Sequence, residues 1–260
     1  MSSQVMRDTL DVLRAECADL DSLVAGVAAA DWARPTPAAG WTIAHQIAHL
    51  AWTDEVALLT ATGSADFGRV LQEATREPRT YVDRMAAEGA SRPPSELLDR
   101  WRTARAALAD ALASADPSTR IAWFGPPMSP RSMSTARLME TWAHGQDVAD
   151  ALGVRREPTD RLRDIAHLGV RTRDFAYAIN GLTPPETEFR IELTGPSGDA
   201  WTWGPPDAEG VVRGSAEDFC LVVVQRREAS ATSLRATGEA AHWLTFAQVF
   251  AGRPTRAVAR

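Results

Sequence analysis

The chain has 260 residues, of which 45% are hydrophobic, and its formal net charge is −6. This length and composition exclude a disordered chain and allow one large domain or two ordinary ones. The acidic balance argues against nucleic-acid binding, because no surplus of positive charge is available for phosphate groups. The N-terminal segment lacks the apolar core of a signal peptide, and no apolar run approaches the roughly 20 residues that span a bilayer. We therefore expect a cytoplasmic protein that does not associate with membranes.

The first two-thirds of the sequence predict helices. Apolar residues at helical intervals predict a first helix over 5–30, which the Pro- and Gly-containing segment 31–40 ends. Thr42 is the expected N-cap of a second helix that stops before Gly63. Further helices are predicted over 66–89 with an interruption at Pro78, from Ser95 to Pro117, from Ser134 or Thr135 to Gly153, and from Thr159 to Asn180.

The pattern changes after Thr183 and predicts β-strands. Two strand candidates, 189–195 and 200–206, flank a Pro-Ser-Gly-Asp turn, and 210–214 is a third. We expect an α plus α+β protein, with a helical domain over 1–183 and a smaller α+β domain over 184–260. The helices predicted in the second domain run from the N-cap Ser215 to Arg227, with Asp218 as the capping-box acid, and from 238 to 250, stopped by Gly252 and Pro254.

Two predicted helices carry residues that could bind a metal. Glu140, His144 and Asp147 lie at i, i+4 and i+7 and therefore share one polar stripe. The first two can reach the same divalent ion. On the second predicted helix, His45 and His49 also lie at i, i+4. A ligand from a neighbouring helix would complete a set of two histidines and one carboxylate, which leaves coordination positions open for water or substrate.

These patterns also have structural interpretations. On residue types alone, the stripe that contains Glu140 is more often a solvated helix face. His45 and His49 could be a capping histidine and a histidine at the edge of the core. Four further candidates are interpreted as structural residues: His167, His242, Cys17 and Cys220. Trp201 and Trp203 alternate in a strand and could instead line a pocket.

Two short motifs carry a family resemblance. The first is Gly-Trp-Thr-Ile at 40–43, followed by His-Leu-Ala at 49–51 and by Glu55; the second is Glu-Thr-Trp-Ala-His-Gly-Gln-Asp at 140–147. Together they resemble the signatures of the mycothiol-dependent maleylpyruvate isomerase family, within the DinB-like superfamily. The segment 189–254 resembles the sterol-carrier-protein-like (SCP2-like) C-terminal domain of this fold. It is also similar to domains labelled wyosine-base-formation-like, which in so acidic a chain we do not interpret as activity on tRNA.

The resemblance implies a four-helix bundle that holds one divalent metal, usually zinc, through His49, Glu140 and His144. His45 then becomes a residue near the cofactor, and Asp147 orients His144. Mycothiol is the implied cosubstrate, a low-molecular-weight thiol that adds to a small electrophilic substrate. A metal with an open position would lower the pKa of this thiol. The protein would then need no reactive cysteine of its own.

In the isomerase of this family, an arginine of the C-terminal domain helps to hold a substrate carboxylate. Arg213, Arg226 and Arg227 are the candidates here. The expected function is therefore a metal- and thiol-dependent isomerase or S-transferase for a small molecule. Three alternatives stay open: a metal-dependent hydrolase, because an open zinc position also activates water, a non-catalytic metal- or small-molecule-binding protein, and a purely structural bundle. The sequence is compatible with a monomer or a homodimer.

Overall fold

The computed structural model describes residues 2–250, with side chains from residue 4 onward. The chain divides into two compact units between Arg156 and Glu157. This division lies before the domain boundary expected at 183/184, because the helices between the two positions pack within the second unit. Gly169, for example, lies against Val223, where an added Cβ would come within 3.0 Å of a Val223 methyl group. The domain assignment 1–183 and 184–260 itself stays a prediction.

The first unit consists of helices and their connections. Its four long helices, α1, α2, α5 and α6, pack on one another, which confirms the four-helix bundle that the resemblance implied. A short 3-10 turn, Ala29–Ala33, precedes α2. The helices are α1 (Ser2–Ala25), α2 (Ile43–Ala61), α3 (Asp66–Arg76), α4 (Tyr81–Ala90), α5 (Pro94–Ser114) and α6 (Pro130–Leu152).

Local capping signals explain where α2 begins and where α6 begins and ends. Thr42 is the N-cap of α2, as predicted, and Gly153 ends α6 in the left-handed conformation at φ 68°, which glycine adopts without strain. The predicted start of α6 at Ser134 or Thr135 was wrong. The helix begins at Pro130 because Ser129 accepts a hydrogen bond from the Ser132 amide, and proline is well suited to the first helical position.

The second unit combines four strands with short helices. The strand order is β2-β1-β3-β4. β1 pairs antiparallel with β2, which confirms the predicted hairpin, and parallel with β3. The strand β4 was not predicted, because it has only two residues. The elements are α7 (Leu162–Arg171), α8 (Arg173–Ile179), β1 (Arg190–Thr194), β2 (Ala200–Trp203), β3 (Val211–Ser215), α9 (Ala216–Val223), β4 (Arg235–Ala236) and α10 (Gly238–Leu244).

Three helix predictions in this unit need correction. The helix predicted from Thr159 to Asn180 is two helices, which meet at Thr172. α9 ends at Val223 rather than Arg227, because Gln225 adopts a positive φ of 59° that helical geometry excludes. α10 ends at Leu244 rather than 250. Gly252 and Pro254, the predicted stop signals, lie outside the described residues. Within residues 2–250, no helix combines the length and the apolar character needed to cross a membrane.

Candidate metal centre

The side chains of His49, Glu140 and His144 meet between α2 and α6. One potential ligand atom from each lies within 4.8 Å of the other two. Glu140 Oε2 is 3.1 Å from His144 Nε2 and 3.4 Å from His49 Nε2. The three side chains therefore face one point, as the i, i+4 spacing on α6 and the contribution of α2 predicted. We call these three residues the His-Glu-His cluster.

The cluster is largely but not completely buried. The side chains of His49, Glu140 and His144 keep 11%, 21% and 12% of their surface exposed, so a small molecule can reach the carboxylate. Burial by itself raises the pKa of Glu140. The hydrogen bonds and charges of His144 and His49 outweigh burial and hold that pKa well below its ordinary value. Glu140 is therefore ionised, and a negative charge lies at the centre of the cluster.

Gln46, which the sequence analysis did not single out, sets the orientation of His144. Its amide nitrogen donates to Thr36 Oγ1, so its oxygen is left to accept from His144 Nδ1 at 2.5 Å. With its Nδ1 proton held by Gln46, His144 can give up the Nε2 proton that it donates to Glu140, and Nε2 then offers its lone pair to a metal. This is the tautomer that a metal-binding histidine requires.

These atoms fit a divalent cation. Two imidazole nitrogens and one carboxylate oxygen form a donor set found in catalytic zinc sites, and each imidazole offers a lone pair once its Nε2 proton is lost. His49 Nδ1 is buried and has no hydrogen-bond partner among the residues described. Packing therefore holds this ring: Trp41 lies 5.3 Å away and Trp52 6.0 Å away between ring centroids.

Trp41 covers the cluster. Its ring is stacked on His144, with centroids 6.0 Å apart and planes at 18°, and its indole nitrogen donates to Asp83 Oδ1 at 2.9 Å. The hydrogen bond fixes the ring in place. Trp41 belongs to the Gly-Trp-Thr motif, so a sequence signal for it existed. Gln46 had a weaker signal, its position one helical turn before His49.

The two residues predicted to lie near the cofactor have different surroundings. His45 Nδ1 accepts a hydrogen bond from the Thr42 amide, so His45 completes a capping box at the start of α2. This is one of its two predicted interpretations. Asp147 Oδ2 lies 4.0 Å from His144 Nδ1, beyond hydrogen-bond distance. Gln46 rather than Asp147 therefore makes the close contact with His144, and a role for His45 and Asp147 at the cofactor stays a prediction.

The three candidate arginines lie in the second unit. Arg213, on β3, donates to Glu192 Oε2 at 2.6 Å and is exposed. Arg226 and Arg227 follow α9, where their guanidinium groups donate to the carbonyl oxygens of Val224 and Arg226. Their assignment to a substrate carboxylate stays a prediction.

A second buried polar contact joins α2 and α6 about one helical turn from the cluster. Arg137 Nε donates to Asp54 Oδ1 at 2.8 Å, and the two side chains are 2% and 4% exposed. Burial raises the pKa of Asp54, while the charge and hydrogen bond of Arg137 lower it. The sequence analysis attributed no role to this pair.

The fold and the cluster together define a four-helix-bundle protein with a candidate His-Glu-His metal centre. Comparison with known families supports this class. The family model described as "Mycothiol maleylpyruvate isomerase N-terminal domain" matches residues 13–149, and the chain belongs to this family. The model described as "Wyosine base formation" matches residues 185–237.

The relatives and solved structures agree with this assignment. The uncharacterized proteins MT0041 and Rv0036c of two Mycobacterium tuberculosis strains are each 58% identical over 245 residues, which cover 94% of this chain and 95% of theirs. The crystal structure of the mycothiol-dependent maleylpyruvate isomerase superposes with a TM-score of 0.59 at 17% identity, over 89% of this chain and 92% of that one. A histidine-to-alanine mutant of that enzyme gives the same values. At this identity the superposition shows a shared fold.

Proposed function

We propose that this protein is a metal-dependent enzyme that uses a low-molecular-weight thiol, mycothiol, to transform a small electrophilic substrate. The observation that carries the proposal is the convergence of His49, Glu140 and His144 within 4.8 Å. Membership of the mycothiol maleylpyruvate isomerase N-terminal domain family supports the choice of thiol. The reaction we favour is isomerisation, with S-transfer as the close alternative.

His49, Glu140 and His144 would hold the metal, and zinc suits the two imidazoles and one carboxylate. When bound, a divalent cation supplies the positive charge that stabilises a thiolate at neutral pH. Gln46 keeps the proton of His144 on Nδ1, so that Nε2 stays available as a ligand. Trp41 excludes water from one side of the cluster, and the exposed part of Glu140 marks the side from which a thiol can enter.

The reactive sulfur must come from outside the chain. Burial raises the pKa of Cys17 to about 12 and that of Cys220 well above its ordinary value. Neither thiol forms a thiolate near neutral pH, and both are enclosed by protein. The chain thus pairs a candidate metal centre with two inert cysteines, which is the arrangement that an external thiol cosubstrate requires. Arg213, Arg226 and Arg227 remain the candidates for a substrate carboxylate.

The test begins with metal content. We expect the purified full-length protein to contain about one divalent metal ion per chain by elemental analysis, and the His49→Ala/His144→Ala variant to contain none above background. His242→Ala is the matched control, because His242 also contacts a glutamate, Glu239, at 2.9 Å but on an exposed surface. It should keep full occupancy. Full occupancy of the double variant would refute the site assignment.

The second step tests the thiol. Calorimetric titration with mycothiol should show binding to the metal-loaded protein and no binding to the double variant, and maleylpyruvate should isomerise only in the presence of both metal and thiol. A metal-loaded protein that does not bind mycothiol would refute the thiol part of the proposal. It would favour a hydrolase or a non-catalytic metal-binding protein instead.

A further inference from the structure

A pocket of about 280 Å³ lies wholly within the second unit. Residues from α7, α8, the start of β1, the end of β2 and α10 form its walls. The sequence analysis had noted that Trp203 could line a pocket, and the structure places it in this one. Since none of the cluster ligands or candidate arginines lines it, the proposed function leaves this pocket unexplained.

Three of the side chains that line the pocket are Phe or Trp. Phe189 and Trp243 are 5% and 1% exposed, and their ring centroids are 5.7 Å apart. Trp203 is half-buried, and its indole nitrogen donates to His167 Nδ1 at 3.1 Å. This bond links β2 to α7 and fixes the Trp203 ring. Trp203 therefore offers a fixed, partly exposed ring that suits a flat hydrophobic group.

Two arginines line the pocket, and they differ in their contacts. Arg173 is fully engaged: it donates to Asp174 Oδ1 at 2.7 Å and to the carbonyl oxygens of Thr187 and Pro185, and it lies over the Phe189 ring. Arg171 is exposed and has no hydrogen-bond or ion-pair partner within residues 2–250. Its guanidinium is therefore the cationic group that remains to bind a ligand, and guanidinium groups bind carboxylates in a bidentate manner.

We propose that this pocket binds a small aromatic carboxylate, whose ring lies against Trp203 and whose carboxylate pairs with Arg171. A second carboxyl group would be repelled by Glu188, which also lines the pocket and, in the described part of the chain, has no partner. The expected ligand is therefore a monoanion with one planar hydrophobic body. This site differs from the His-Glu-His cluster in both residues and chemistry.

The probe is 2-naphthoate, titrated into the full-length protein and followed by calorimetry. The titration uses the His49→Ala/His144→Ala variant, so that a carboxylate cannot bind at a metal. We expect saturable binding, and about two- to fivefold weaker binding of the neutral 2-naphthamide. Arg171→Gln should weaken naphthoate by about two- to fivefold, the range for an ion pair of an exposed side chain. Glu188→Gln should tighten it by about two- to fivefold, because a nearby like charge is removed.

Arg163→Gln is the matched control. Arg163 lies on the same helix as Arg171, but its guanidinium lies over Trp201 rather than in the pocket. It should leave the affinity unchanged. Trp203→Leu, checked for folding by circular dichroism, should weaken naphthoate and naphthamide alike. The proposal is overturned if naphthoate does not saturate the protein, if amide and carboxylate bind equally, or if Arg171→Gln and Arg163→Gln have the same effect. None of these outcomes depends on metal or thiol binding.

Discussion

Two of the buried polar contacts that join helices α2 and α6 differ in their charge balance. In the His-Glu-His cluster, the ionised Glu140 faces two imidazole nitrogens, and no arginine contacts it among the hydrogen bonds and ion pairs that the described residues form. About one turn away, Asp54 and Arg137 neutralise each other at 2.8 Å. Asp54 therefore has its cation within the chain, whereas Glu140 is left to face the metal that we propose.

The two contacts also differ in how far their side chains are exposed to solvent. Asp54 and Arg137 are 4% and 2% exposed, whereas Glu140 keeps 21% of its side-chain surface. The ion pair is almost fully buried and links α2 to α6. The cluster is partly exposed to solvent, as the metal site that we propose requires.

The largest expected effect comes from breaking the ion pair. Arg137→Met should destabilise the protein by about 3–5 kcal/mol, because it leaves the Asp54 carboxylate buried without its cation. Urea unfolding followed by circular dichroism measures this loss. The double variant Asp54→Leu/Arg137→Met removes both charges and should recover most of it. The folded fraction of either variant should still bind metal. A single variant as stable as the parent protein would contradict the structural role.

The sequence predicted local features better than contacts between helices. The capped start of α2 at Thr42 follows from neighbouring residues, and Glu140 and His144 lie on one face because of helical periodicity alone. The contact of Gln46 with His144 joins residues 98 positions apart, and the pairing of Asp54 with Arg137 joins residues 83 apart. No local pattern indicates which buried polar groups will meet across a bundle.

The wrong predictions of helix and strand positions also have local causes. α6 was predicted to begin too late because Ser134 or Thr135 was taken as its start, although Pro130 favours the first turn of a helix. The strand β4 has two residues, Arg235 and Ala236, too few to show alternation. The position of His49 relative to Glu140 depended on the family resemblance, because residue types alone favoured a solvated helix face.

Losing the residue that orients His144 should have an intermediate effect, on metal affinity. Gln46→Leu removes the acceptor for the proton on His144 Nδ1, so the ring can rotate or protonate Nε2 instead. We expect metal affinity to fall by about 10- to 100-fold, the usual range for losing a group that orients a ligand. Competition with a chromophoric chelator measures it. Gln146→Leu is the control, because Gln146 bonds to Asp150 on α6. Equal affinities of the two variants would exclude the orienting role.

The smallest expected effect concerns the pH dependence of stability that His45 contributes as a helix cap, a role that His49 and His144 do not have. Burial lowers the pKa of His45, and the charge of Asp83 opposes this only in part. A histidine pKa below its unfolded value of about 6.5 means that folding favours the neutral ring, whose Nδ1 accepts from the Thr42 amide. This contribution to stability is complete above that unfolded pKa and is lost as the pH falls below it.

His45→Gln tests this point, because glutamine can also accept the Thr42 amide but does not titrate. In urea unfolding without metal, the free energies of unfolding of the parent protein and the His45→Gln variant should agree within about 1 kcal/mol at pH 8. At pH 5 the parent protein should have lost about 0.5–1 kcal/mol more than the variant, a loss within the usual range for removing an N-terminal cap. Parallel pH dependences would mean that His45 does not act as a titrating cap. Metal affinity at pH 8 should be equal in both, since the capping box explains His45 without a contact to the metal.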